Sequence, residues 1–324
     1  MTSTNHTRFV SRSKSSSILE LLRGDPDDEL VASLALMHAK LMSDERLVAA
    51  LDHFGSAVEV VRISDADELA PELFANAGAI TDADISDARR HVRQWRKDSL
   101  DVRTVFSPTY PSNLRSIFDR PPLLFVAGAW DDDRDSRSVA VVGTRKASES
   151  GLRQAKRLVE DLVAAGFTVL SGMARGIDTV AQATALERGG RTVAVMGTGI
   201  DRRYPPENAS LAQAILDSGA ALLTQFLPHS PPSGWHFPKR NVVMSGLARA
   251  TVVIEAAETS GARMQARVAL QHGRTVFLLR SLVEEHEWAR RYVEQGAYGS
   301  HAIELSAPED LIARLAPGEF PVAE

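Results

Sequence analysis

The 324-residue chain is 44% hydrophobic and 24% charged, with a net charge of −5 and a pI near 6.0, which places it among ordinary globular proteins with room for one large domain and a smaller one. Its acidic balance argues against a protein that coats nucleic acid or anionic membrane with its whole surface. It has no cysteine, which excludes disulfides, thiolate nucleophiles and cysteine-ligated metal centres, and no apolar run approaches the roughly 18 residues that would span a bilayer.

The first two dozen residues are rich in Ser and Thr with scattered cations, a composition that predicts a flexible tail over 1–24. They lack the apolar core of a signal peptide, so the expected compartment is the cytoplasm. From "DDELVASLALMHAKLMSDERL" to "DISDARRHVRQWRKDSL" the apolar residues recur at three and four. This spacing predicts a small all-helical domain over 25–105. A Pro-containing stretch, "VFSPTYPSNLRSIFDRPPLLFVAGAW", then leads to the acidic "DDDRDSR", which reads as a solvated turn between strands.

After Ser138 the texture becomes a strict alternation. The runs "VAVVG", "FTVLSG", "TVAVMG", "ALLTQF", "ATVVIEA" and "TVFLLR" are almost wholly apolar, as strands buried on both faces must be, and helix-length segments lie between them. An α/β architecture follows: a mostly parallel sheet with helices on both faces, over 106–317, and a short C-terminal tail at 318–324. Ligands of such sheets sit beyond the carboxyl ends of the strands.

The residues there are Gly143-Thr144-Arg145, Gly172 with Arg175-Gly176, and Gly197-Thr198-Gly199. Glycines in that position let backbone N–H groups approach an anion, and repeated loops of this kind favour a phosphate-rich ligand. The first loop lacks the spacing of a P-loop, and the second strand ends without the acid that holds a dinucleotide's ribose. Asp178, at the start of the next helix, reads as a charge placed on the helix dipole. No G-x-S-x-G or H-E-x-x-H motif is present, and His229 and His236 are too isolated to suggest a metal. "EEHEW" around His286 reads as a solvated helix face. No catalytic group, metal or cofactor is therefore predicted. Glu255, after "VVI", is an acid that could orient a basic neighbour or act as a general base.

"HSPPSGWHFPKRNVVMSGLA" shifts the expectation toward a polymer. Trp235 and Phe237 offer faces on which bases can stack, and Lys239 and Arg240 offer charge just before a helix. Arg145, Arg175, Arg202 and Arg203 all follow strand ends of the same predicted sheet. Several cations would share one edge of an acidic protein.

At these residues the chain resembles the DNA-processing protein A family (DprA/Smf). The resemblance runs in order through "YPSNLRSIFDRPPLLFVAG", "VAVVGTRKASESG", "VLSGMARGIDTVAQATALERGGRTVAVMGTGIDRRYPPEN", "HFPKRN" and "VVIEAAETSGA", over about 106 to 280. It implies an extended Rossmann-like domain behind a SAM-like helical one, and a non-enzymatic protein that binds single-stranded DNA and hands it to a RecA-type recombinase in DNA uptake or recombination. A homodimer away from membranes is also implied. The binding role falls on Gly143, Thr144, Arg145, Gly172, Arg175, Gly176, Arg202, Arg203, Phe237, Lys239, Arg240 and Asn241, with Glu255, Ser260 and Gly261 in support. The chain departs from the family's usual pattern at Val242, at Gln265-Ala266, and in "FLLRS" with the segment after it, and a C-terminal winged-helix domain is expected to be absent. These departures leave the DNA-binding edge mostly intact and bear on partner handling. The alternatives on a related fold are a sensor of a nucleotide-derived small ligand, or a nucleotide hydrolase, whose Pro-Gly-Gly-x-Gly-Thr loop this chain lacks.

Overall fold

The computed structural model describes residues 20–22, 24–40, 42–64 and 80–315. Most of the tail expected over 1–24, and all of that over 318–324, lie outside the described residues. The chain divides into two compact units, Met1–Pro108 with Pro121–Leu123, and Thr109–Arg120 with Leu124–Glu324.

The first unit holds helices α1 (Asp28–Ala39), α2 (Asp44–Phe54), α3 (Ala57–Ser64) and α4 (Asp82–Lys97), followed by strand β1 (Asp101–Thr104). The predicted helical spacing produces a buried stripe on α4 at Ile85, Ala88, Val92 and Trp95, and Thr81 with Asp84 closes a capping box at its start. Glu29 of α1 accepts from the Ala57 amide at 2.8 Å, so one helix supplies the cap of another. The packed region starts before residue 25: Leu22 is buried, and Arg89 bonds the Leu21 carbonyl and the Asp28 carboxylate.

The second unit is the α/β layer. Its strands are β2 (Leu123–Gly128), β3 (Ser138–Val142), β4 (Thr168–Ser171), β5 (Thr192–Val195), β6 (Ala221–Thr224), β7 (Ala250–Val253), β8 (Thr275–Leu279) and β9 (Ile303–Leu305). They lie in the order β2-β6-β5-β4-β3-β7-β8-β9. All pairings from β6 to β9 are parallel, with Val139 opposite both Val169 and Ala250, and β2 runs antiparallel to β6. The intervening helices include α5 (Ser112–Arg115), α6 (Asp132–Asp135), α7 (Glu149–Ala164), α8 (Ile177–Glu187), α9 (Ala209–Asp217), α10 (His236–Leu247), α11 (Gly261–Gln271), α12 (Arg280–Glu285), α13 (Glu287–Glu294) and α14 (Pro308–Leu315). Val139, Val141, Val169, Val252 and Phe277 pack on one face against α7, α8 and α14. Helices α10 and α11 meet β3, β7 and β8.

Two local expectations change. The "DDDRDSR" run is a solvated turn only in part, with Asp132, Asp133, Arg134 and Arg137 exposed. Its first part coils into α6 and delivers Asp135, fully buried, to Arg191, whose Nε and Nη2 donate to the carboxylate at 2.6 and 2.7 Å. The Thr168 hydroxyl and the Asp131 amide satisfy the rest of that carboxylate. A buried charge needs such partners, and they come from residues distant in sequence. In "EEHEW" the three glutamates are exposed as expected, but the helix breaks at His286 and Trp288 turns inward.

Candidate nucleic-acid interface

The chain order reverses between β3 and β7, since β4, β5 and β6 extend the sheet one way while β8 and β9 extend it the other. The carboxyl ends of these two strands flank the switch point where open α/β sheets bind ligands. A cleft of about 480 Å³ opens there. Gly143 to Lys146, Asp178, the first two turns of α10 and the Thr259–Ala262 turn form its walls, and Gln265 reaches into it. A narrower cleft of about 110 Å³, lined by Arg175, Tyr204 and Pro205, shares Arg145, Phe237 and Arg240 with it.

The glycines stand at the strand ends, and several of the loop amides are already spent within the protein. The Thr144 amide donates to the Glu255 carbonyl, the Lys146 amide to the Thr144 hydroxyl, and the Ser148 amide to the Glu255 carboxylate. In the second loop the amides of Gly172 and Ala174 both donate to Asp178. Asp178 thus fills its own loop with an anion, a larger role than a charge resting on a helix dipole. The glycines instead make room. A methyl on Gly172 would overlap the Arg240 guanidinium, one on Gly143 would overlap Ile177, and one on Gly197 would press on the Phe237 ring. Gly176 has φ +77° and lies against the Thr144 carbonyl, so an L side chain there is excluded twice.

Helix α10 starts at His236, earlier than the sequence suggested, so Lys239 and Arg240 lie in its first turns. Cations there oppose the helix dipole, whose positive end is the N-terminus. A broken local rule of this kind is expected at functional sites. The two residues resolve it differently. Arg240 is buried, donating from Nη1 to the Val195 carbonyl at 2.9 Å and from Nε to Asn241 Oδ1 at 3.2 Å. Burial pushes its guanidinium pKa down, opposed by Asp178, while burial pushes the Asp178 carboxyl up, opposed first by Arg240. Lys239 instead lies over the Trp235 ring, 5.6 Å from its centroid.

Arg145 lies 5.3 Å from the centroid of Phe237, and Tyr204 tilts against the same ring at 6.1 Å. Trp235 is 59% exposed and Tyr204 40%, high values for such large apolar faces. His236, between Trp235 and Phe237, stacks on Phe226 at 3.9 Å and reaches the Gly197 carbonyl through Nδ1, which anchors the aromatic segment. Other predicted cations have separate duties. Arg175 pairs with Glu207, Arg202 bonds the His229 carbonyl, and Arg203 bonds the Ile200 carbonyl, so the last two fasten the loop after β5 and do not line either cleft. Glu255 accepts from the Ser148 amide and hydroxyl, which makes it an organiser of the loop. Ser260 caps α11 by accepting from the Arg263 amide, and Asn241 donates to the Gly261 carbonyl.

The lining residues that the sequence reading did not single out include Lys146, Tyr204 and Gln265. Tyr204 was open to the reasoning that found Trp235, since it is an aromatic directly after "DRR". Lys146 follows Arg145 in the loop. Gln265 gave no signal beyond its departure from a family pattern. Among the described residues no group of three metal-ligating side chains occurs, and no helix is long and apolar enough to cross a membrane.

The fold and site define a Rossmann-like α/β protein with a basic, aromatic-rimmed cleft at its switch point. The family model for the DNA recombination-mediator protein A matches residues 101–309, and the chain belongs to that family. It is 38% identical over 211 residues to Protein Smf of Escherichia coli, covering 64% of this chain and 55% of that protein. The chain thus spans about half of that relative's length. The X-ray structure of DNA processing protein A from Streptococcus pneumoniae superposes with a TM-score of 0.67 at 27% identity, covering 86% of this chain and 95% of that one. The Helicobacter pylori DNA processing protein A, whose single-stranded DNA binding mode has been described, shares the fold at TM-score 0.57 and 24% identity, over 66% of this chain and 95% of that one.

Proposed function

We propose that this chain binds single-stranded DNA at the switch-point edge, without hydrolysing it, and passes it to a recombinase during DNA uptake or recombination. The observation that carries the binding role is the pairing of cation with ring: Arg145 over Phe237 and Lys239 over Trp235, beside exposed Tyr204. Exposed rings stack bases and the adjacent cations neutralise phosphates, a combination that needs unpaired bases and tolerates any sequence. Membership of a recombination-mediator family supports the transfer role. The RecA-type partner, the homodimer and the cytoplasmic setting complete this reading, with the glycine loops and Asn241 shaping the edge.

The test is an anisotropy titration of labelled oligothymidylate, its duplex, and mononucleotides as competitors. Arg240 is buried and committed, and Arg202 and Arg203 are tied to carbonyls; the cations placed to meet phosphates are Arg145 and Lys146 at the cleft and Lys239 over the Trp235 ring. Three contacts at about −0.7 each give a log-affinity against log-salt slope near −2 for a single strand. The proposal fails if duplex binds as well as single strand. The cleft also suits a small nucleotide ligand, and competition by a mononucleotide at micromolar concentration would establish that second reading.

A further inference from the structure

A second cleft, of about 470 Å³, opens at the amino ends of β3, β4 and β5, the edge of the sheet opposite the switch point. Arg134 and Arg137 line it from α6 and the residue before β3, and the turns that end α7 and α8 line it with Val163, Arg188 and Gly190. Its frame is fixed. Asp135, buried and held by Arg191, pins the backbone between Arg134 and Arg137. Gly190 sits where a methyl would overlap Val163, so the turn after α8 packs directly on the end of α7.

The four arginines of this cleft divide into two kinds. Arg191 is committed to Asp135 and to the Gly219 and Ala129 carbonyls, and Arg188 donates to Glu160. Arg188 also closes α8, where a cation suits the helix dipole, whereas Arg134 and Arg137 come from outside both long helices. Both are exposed, and neither guanidinium has a hydrogen bond or a carboxylate partner among the described residues. Arg137 is seated on the buried Phe167 ring, its Cζ 5.1 Å from the centroid. A guanidinium held that way is positioned while its N–H groups stay unused.

What such a pair can bind is limited by its surroundings. The amides of Gly166, Thr168, Gly189 and Gly190 all donate to carbonyls of the chain, so they form no nest for a phosphate. The one aromatic residue lining the cleft, Phe167, is buried and offers no face to a base. Asp133 lines the cleft as well, and a continuous row of phosphates would run into its carboxylate. A polypeptide carries its charges singly and at intervals, so it can set a carboxylate on each arginine and pass Asp133 with a neutral residue. The guanidinium fork matches a carboxylate with two parallel N–H bonds, and half-buried Val163 offers contact to the aliphatic stem of an acidic side chain. Arginine clusters are a recurrent means of recognising acidic peptide motifs.

We propose that the amino-end cleft is a docking site for an acidic segment of a partner protein, with Arg134 and Arg137 each taking one carboxylate and Asp133 rejecting a further negative charge beside them. The site is separate from the switch-point edge and does not depend on what binds there.

The test uses the full chain and a labelled, end-blocked hexaglutamate, followed by anisotropy, with hexaglutamine as the uncharged control. Hexaglutamate should bind more tightly than about 1 mM, and hexaglutamine should not. Arg134→Ala and Arg137→Ala should each weaken hexaglutamate about fivefold, Asp133→Asn should tighten it about twofold, and Arg145→Ala should leave it unchanged. Arg134 makes no side-chain hydrogen bond or ion pair among the described residues, so its variant decides the matter even if uncovering Phe167 in Arg137→Ala impairs folding. In parallel, the side-chain Nε–Hε resonances of Arg134 and Arg137 should move on adding hexaglutamate and stay in place on adding oligothymidylate. The inference is overturned if hexaglutamate does not bind, if Arg145→Ala weakens it as much as Arg134→Ala does, or if oligothymidylate moves the two resonances. Displacement of the peptide by inorganic phosphate at the same concentration would also overturn it, by making the cleft a site for small anions.

Discussion

Both ends of the sheet in the second unit are rich in arginine, yet they are built for different ends. At the amino ends of the strands, Arg134, Arg137, Arg188 and Arg191 line a cleft of about 470 Å³, similar in size to the one at the switch point. There the charges are largely answered from within. Arg191 grips buried Asp135, Arg188 bonds Glu160, and Arg137 lies 5.1 Å from the centroid of Phe167, a ring that is itself buried. At the carboxyl ends, Arg145 and Lys146 have no carboxylate partner among the described residues, and the nearby rings of Trp235 and Tyr204 face outward. The lesson is that arginine count does not make a nucleic-acid site. Uncommitted charge beside exposed aromatic surface does.

If that comparison holds, breaking the committed end should cost stability and spare binding. The largest effect is expected from Asp135→Asn, which strips a buried arginine of its charge partner. We expect a loss of about 3–5 kcal/mol in urea denaturation. The affinity of the remaining folded protein for oligothymidylate should not change. Gly172→Ala attacks the other end from beneath, since a methyl there collides with Arg240. Overpacking should cost about 1–3 kcal/mol of stability. Unlike the first variant, it should also weaken DNA binding, because displaced Arg240 disturbs the wall shared by both clefts.

Arg145→Ala should do the opposite of Asp135→Asn. Removing an exposed charge-assisted contact should weaken strand binding by about 1–3 kcal/mol. Its melting curve should overlay that of wild type, because Arg145 is exposed and holds no ion pair. A folded Arg145→Ala that binds normally would remove the basis for placing phosphates at the mouth.

The sequence was informative about backbone and much less so about commitment. The strands were legible because residues buried on both faces must be apolar throughout, and the order of loops at their carboxyl ends followed from topology. Arg145, Phe237 and Lys239 were legible as a group because each stands at a strand or helix end. Local pattern carries no record of which charges are paired across the fold. Asp135 looked like solvated acid because its partner, Arg191, lies 56 residues away. Arg240 read as a phosphate contact for the same reason, although its guanidinium is held under Gly172. The glycines carry a second role that the pattern did not show: their missing side chains accommodate Arg240, Ile177 and Phe237, and several of the loop amides are spent within the protein. In the acidic turn and the His286 segment only Asp135 and Trp288 depart from the expected exposure, since their burial is decided by distant packing.

A milder probe is acid. Burial lowers the pKa of His236 below its usual 6.5, so the folded state favours the neutral ring. Its contribution to stability is therefore present above that value and is lost as pH falls through the lowered one. Urea midpoints followed by tryptophan fluorescence should fall on going from pH 7.5 to pH 5.5, and His236→Phe should flatten that dependence. Because His236 anchors the Trp235–Phe237 segment, the aromatic end should loosen with it.

One salt series tests most directly whether uncommitted charge at the switch-point edge binds the strand. Oligothymidylate anisotropy would be measured across salt for wild type, Arg145→Ala and Arg188→Ala, the two variants removing one arginine from each end of the same sheet. We predict a wild-type slope near −2, a slope shallower by about 0.7 with weaker binding for Arg145→Ala, and an Arg188→Ala curve that superposes on wild type. Equal changes in slope from the two variants, or a change from Arg188→Ala alone, would contradict the claim that uncommitted charge at the switch-point edge is what binds the strand.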